Sequence, residues 1–256
     1  MKKQNCCAFL CAVLFLFPSI LTGCGRQEAE PKSAGELLEE FRDSLRQHRT
    51  IPAASGETTF DFEALREINP DIHAWLEIPG SRVDYPVLQS PDDDLIYLNT
   101  AFDGSSYIGG SVFTQASYNG TDFNDPVTLL YGNTMQDGTM FGELQTLYSG
   151  TSGENRSIVV YLPDEVRNYT VFAAVPYDNT HILYTYDFTS KYWYGNFFSN
   201  VKKIRKIGAF FDEESAPEFG DHVIILSTSL ADGTDGRFLV MAVLHDDVSG
   251  GAGDTP

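Results

Sequence analysis

The chain has 256 residues, 42% of them apolar, and 17 Lys and Arg stand against 36 Asp and Glu, a formal net charge of −19. That length and apolar content allow one ordinary domain with accessory segments and a full hydrophobic core, and exclude wholesale disorder. So acidic a surface repels phosphate backbones and anionic lipid, which argues against nucleic acid as a partner.

All four cysteines, Cys6, Cys7, Cys11 and Cys24, fall in the first 24 residues. The body of the protein therefore has no disulfide, no Cys-ligated zinc and no Cys nucleophile. Lys2 and Lys3 precede an apolar run from Cys6 to Leu16, as in an export signal. The run ends in Leu21-Thr22-Gly23-Cys24, which resembles the lipobox of bacterial lipoproteins. That resemblance implies a signal peptide over 1–23, lipidation at Cys24 and a tether over 24–35, with the protein held on the outer face of the cytoplasmic membrane. The alternative is an uncleaved anchor, because the run is just short of a comfortable span.

Further along, Leu37, Leu38, Phe41 and Leu45 recur at helical spacing, predicting an amphipathic helix over Glu36 to Arg49. A second helix is expected from Phe60 to Ile68, closed by Asn69-Pro70. Eight β-rich runs follow, at 74–78, 83–88, 110–114, 127–132, 157–162, 168–177, 222–229 and 237–245. Eight strands can close a barrel and remove exposed edges, so the expected fold is mostly β, a closed eight-stranded barrel over 69–247 behind N-terminal helices at 36–68. Phe197, Phe198, Val201, Ile204 and Ile207 predict one helix, Tyr192 to Ile207, inserted before the seventh strand. The tail over 248–256 reads as disordered.

NPDIHAWLEIPGSRVDYPVLQ (69–89), YLNTAFDGSSYIGGSVF (97–113), LLYGNTMQDGTMFGEL (129–144) and IILSTSLADGTDGRFLV (224–240) resemble, in order and spacing, signature regions of the class B sortases. The resemblance covers roughly residues 60–246, and the inserted helix belongs to the same pattern. Sortases are surface cysteine transpeptidases that cut a sorting signal through a thioacyl intermediate and pass the acyl group to a cell-wall amine. A thiolate attacks, an imidazole protonates the leaving amine, and a cation holds the substrate and the developing oxyanion. The family supplies these from a Cys ending Leu-Ser-Thr-Cys, a His in Tyr-Gly-His and an Arg in Gly-Arg-Phe. Here the corresponding residues are Ser229, Asn133 and Arg237, so only the arginine is kept. Thr228 and Tyr131, beside the replaced positions, and His181 and Tyr184, in the connection that lines the family's groove, form the expected peptide-binding set.

A serine needs a base within hydrogen-bond reach, and an asparagine amide cannot take the proton. The expectation is a pseudoenzyme that binds a sorting-signal-like or cell-wall peptide, another surface protein or an active sortase. The rival is an enzyme in which Ser229 recruits a new base. His222 and His245 lie at the far ends of their strands, about 23 Å away for seven residues of strand. His48 and His73 precede the barrel, leaving His181 as the candidate. A structural lipoprotein with a filled groove is a third reading, and a laboratory Cys→Ser knockout a fourth, which the second change at Asn133 disfavours. Asp92-Asp93-Asp94 and Asp232-Gly233-Thr234-Asp235-Gly236 read as turns rather than metal loops, and neither metal nor cofactor is expected. The aromatic cluster Tyr184, Tyr186, Phe188, Tyr192, Trp193 and Tyr194 is expected to pack the inserted helix, with some rings at the groove.

Overall fold

The computed structural model describes residues 43–47, 49–50, 59–149 and 156–245. The signal peptide, Cys24, the tether, residues 36–42 of the first expected helix, His48 and the tail lie outside these residues. Helix is present at 43–46, but Arg49–Thr50 (β1) is a strand paired antiparallel with Thr59–Phe60 (β2). The second helix, Phe62–Ile68 (α1), begins two residues later than expected because the Asp61 carboxylate accepts from Ala64 N–H and caps it.

Eight strands close the barrel. They are Ile72–Glu77 (β3), Asp84–Leu88 (β4), Val112–Phe113 (β5), Val127–Tyr131 (β6), Ser157–Tyr161 (β7), Val166–Tyr177 (β8), Val223–Ser229 (β10) and Arg237–Leu244 (β11). Their order is β11-β10-β6-β5-β4-β3-β7-β8, closed by β8 pairing with β11. Each matches one of the eight expected runs, though the third shrinks to two residues. A ninth strand, Phe210–Phe211 (β9), adds to the free edge of β8 and was not foreseen, since two residues carry no period.

Strand alternation splits the core in two. Ile224, Leu226, Phe238, Val240 and Ala242 point into the barrel with Trp75 and Phe141, whereas Val223, Ile225, Leu239 and Met241 point outward. The outward set is covered by Lys191–Val201 (α4), whose Tyr194, Phe197, Phe198 and Val201 are buried. Strands buried on both faces read as unbroken apolar runs, which is how these two appear in the sequence. The inserted helix is therefore shorter than expected. It stops at Val201 because Lys202 and Lys203 turn the chain away. Ile204 is only half-buried, and Ile207 is 99% exposed rather than packed. The same connection holds a one-turn helix, Ile182–Thr185 (α3), and Leu144–Tyr148 (α2) lies between β6 and β7; neither has enough turns to show a sequence period. Among the described residues no helix is long and apolar enough to cross a membrane.

Candidate functional site

Parallel pairing of β6 with β10 sets Tyr131 opposite Ser227, and Gly132 N–H donates to Ser227 O at 3.2 Å. The chain leaving β6 thus runs beside the end of β10. On the other side, β10 and β11 are antiparallel, with Ser229 directly opposite Arg237. Cross-strand partners share a face with Cβ atoms about 5 Å apart. The fold therefore gathers Asn133, Ser229 and Arg237, distant in sequence, at one end of three neighbouring strands.

Ser229 is exposed, and among the described residues no hydrogen bond to its hydroxyl is found. Its backbone is not free. The Thr134 hydroxyl donates to Ser229 O at 2.7 Å, so the Thr228 hydroxyl, buried and 2.7 Å away, must donate to Thr134 Oγ1. Thr228 thus serves as a strut beneath the cleft rather than an open peptide contact. Asn133 faces a different neighbour: its amide donates both hydrogens, to Leu98 O at 2.8 Å and Ile108 O at 3.1 Å. Its own carbonyl accepts from Phe141 N–H at 2.9 Å, and Phe141 is fully buried against Gly132, where an added Cβ would lie 2.6 Å from the ring. Asn133 is a cross-link between two loops.

Arg237 is half-buried and forms no ion pair among the described residues. It lines a cavity of about 70 Å³ with Tyr131, Tyr177, Asp178, Asn179, Thr180, His181, Ile182, Ser227, Leu129 and Leu239. Burial pushes the Tyr131 phenol up to about 12, opposed by the nearby guanidinium. Burial and a hydrogen bond donated by the Tyr177 O–H to Tyr186 likewise raise Tyr177. Both phenols stay protonated at neutral pH, as donors rather than bases.

His181 does reach this cavity, but both ring nitrogens are engaged. Nδ1 accepts from Tyr184 N–H at 3.2 Å and caps α3, which leaves Nε2–H to donate to Gln115 Oε1 at 3.0 Å. Its ring lies against Tyr118, 4.6 Å between centroids. Tyr184 is 80% exposed on the outer side of α3, so its ring is a rim rather than a wall. Gln115, Tyr118 and Thr134 were invisible as site residues in the sequence, since each acts through one cross-chain contact that leaves no periodic mark.

Elsewhere the other histidines are accounted for. His73 is buried, with Nδ1–H donating to Thr121 O and Nε2 accepting from the Thr114 hydroxyl, both at 3.1 Å, and burial pushes it down to about 4. His222 Nδ1 bonds Asp125 O. The acidic runs are spent on their own turns: Asp93 accepts from Leu95 N–H, Asp94 from Ser117 N–H, and Asp232 from both the N–H and hydroxyl of Thr234. Of the aromatic cluster, Phe188 and Tyr194 are buried beside α4, with Tyr186 packed on Phe197 at 5.0 Å.

The fold of this barrel is also found in solved proteins. Sortase B from Bacillus anthracis superposes with a TM-score of 0.66 at 25% identity, over 82% of this chain and 95% of that one. A Streptococcus pyogenes class B sortase involved in pilus biogenesis gives 0.61 at 25% identity, over 72% and 98%. The chain is a sortase-like protein with the class B sortase fold. Among curated proteins, sortase B of Listeria monocytogenes is 31% identical over 121 residues, and sortase B of Staphylococcus aureus 33% over 100 residues. The sortase-like chain spans 48% and 40% of those two relatives, about half their length or less. No family model matches it.

Proposed function

We propose that this sortase-like chain is a surface-anchored binding protein that has lost cysteine transpeptidase activity and holds a sorting-signal-like or cell-wall peptide, presented alone or by a partner surface protein or sortase. One observation carries the reading: Arg237, which forms no ion pair among the described residues, lines a cavity beside the neutral phenols of Tyr131 and Tyr177, with Asp178 also in its wall. Such a cation beside a neutral phenol suits a peptide carboxylate or carbonyl. Beside it the Ser229 hydroxyl has no base. Asn133 spends its amide on two carbonyls, and both His181 nitrogens are occupied. In this reading the protein sits outside the cell on a lipid at Cys24, which mass spectrometry of the mature N-terminus tests.

The test of function is titration of pooled sorting-signal and cell-wall peptides onto the full chain and onto Arg237→Ala. Saturable binding that weakens about tenfold or more in the variant is expected, the scale of a lost charge-assisted hydrogen bond. No binding by either protein removes the proposal. Peptide turnover with an added amine, abolished in Ser229→Ala, would establish the enzyme reading instead.

A further inference from the structure

Just beyond the C-terminal end of α4, the local charge reverses. Four of the chain's 17 Lys and Arg residues lie between positions 202 and 206, although acidic residues outnumber basic ones by 36 to 17 overall. All four, Lys202, Lys203, Arg205 and Lys206, are exposed. Among the described residues only Lys202 of the four has an ion-pair partner, Glu213 at 2.9 Å, and Asp178 feels the charge of Lys206. The Arg205 guanidinium rests on the carbonyls of Lys202 and Ile204, which fixes it without neutralising it. Asp178 is held below the usual carboxylate range chiefly by the Thr180 hydroxyl and N–H, and also by Lys206, so this basic face borders the connection that walls the Arg237 cavity.

At the end of the basic run stands Ile207, 99% exposed. An exposed isoleucine alone means nothing. This one is built into a tight turn: Ala209 N–H donates to Lys206 O at 3.0 Å, and Gly208 takes φ +84°. A Cβ at Gly208 would also lie 2.6 Å from Ser149 Oγ, so the turn sits close against the body of the protein. A rigid apolar tip ringed by cations is the chemistry of an interfacial lipid contact, in which cations meet anionic headgroups and the apolar group enters between them. The remaining surface, strongly acidic, would be repelled by the same membrane, which leaves one permitted orientation.

We propose that the Lys202–Ile207 turn docks on an anionic lipid surface, Lys203, Arg205 and Lys206 facing the headgroups and Ile207 inserted among them. Docking turns the neighbouring Arg237 cavity toward the bilayer, whatever that cavity binds and however the N-terminus is held.

The full chain, reconstituted into phosphatidylcholine vesicles with or without about one third phosphatidylglycerol, is treated with a membrane-impermeant amine reagent and its lysines are read by mass spectrometry. Lys191, at the far end of α4 and about 15 Å away, is the internal reference. Lys203 and Lys206 are expected to be protected about fivefold or more by the anionic lipid, with protection lost in about 0.5 M salt and reduced in Ile207→Asp. Because Ile207 touches nothing, that variant folds normally, and unchanged circular dichroism checks it. Equal labelling in both vesicles overturns the proposal. So does equal protection by a soluble glycerol-phosphate polymer without vesicles, which would assign the patch to a polyanion in solution.

Discussion

Asn133 and Ser229 lie at the ends of adjacent strands, yet the protein has treated the two positions differently. At the tip of β10 the serine is exposed, its hydroxyl unbonded among the described residues, and its strand partner is Arg237. After β6 the asparagine has become part of the frame, its amide bonded to Leu98 O and Ile108 O and its carbonyl to Phe141 N–H. One position presents an exposed side chain; the other is a structural cross-link. Changing the side chain at 229 therefore asks little of the fold, whereas a histidine at 133 removes a two-donor amide from a corner that depends on it.

The corner should prove costly to disturb. Phe141→Ala, which empties the buried space under Gly132, is expected to destabilise by about 4 kcal/mol in denaturant unfolding, the ordinary cost of a buried Phe→Ala cavity. A loss under about 1 kcal/mol would show that the corner is loosely packed and that the contrast with the hairpin tip is unfounded. Acid should reach the same side of the cleft. His73 is neutral in the fold because burial lowers it to about 4, so between pH 6.5 and about 4 the unfolded chain binds the extra proton. Its contribution is full above pH 6.5 and is lost as pH falls through that window, roughly 3 kcal/mol in all. The Thr114 hydroxyl that donates to His73 also accepts from Gln89, one residue before the Gln115 that holds His181. Unfolding followed against pH should lose this part of its slope in His73→Gln; an identical slope would place the acid sensitivity elsewhere.

Asn133→Ala should cost about 2 kcal/mol, since two loop carbonyls lose their donor, and Asn133→His should lie on the same side of zero. At the other position Ser229→Cys is expected within about 0.5 kcal/mol of the parent, as for an exposed side chain without partners. Thermal unfolding of the three variants measures the contrast directly. Equal shifts at 133 and 229 would dissolve it. In activity assays the consequence is that Asn133→His/Ser229→Cys must be checked for folding before silence is read as loss of recognition.

Most of the barrel was legible. Runs such as VIILSTS and RFLVMAVL are apolar on both faces, and the structure explains them by a barrel core on one side and α4 on the other. The inserted helix was legible in kind but overextended, because Ile204 and Ile207 continue a helical interval that the backbone abandons at Val201. Around the cleft, the positions 229, 133 and 237 could be named from their motifs. What could not be named was their company: Thr134 on Ser229 O, Gln115 on His181, Tyr118 on the His181 ring. Each is a single contact across dozens of residues of sequence, without repeat or spacing.

The sequence by itself determined an acidic, mostly β domain whose four cysteines all lie in the first 24 residues, with strand runs and motifs that resemble those of the class B sortases. Those are facts of composition, strand period and local motif, which survive in one dimension. Only the tertiary structure decided that His181 is engaged at both nitrogens, that Asn133 braces a corner while Ser229 stands free, and that Ile207 projects from a basic turn on an acidic protein. Hydrogen-bond partners and exposure depend on which distant segments the closed barrel brings together, and strand pairing, not sequence distance, sets that.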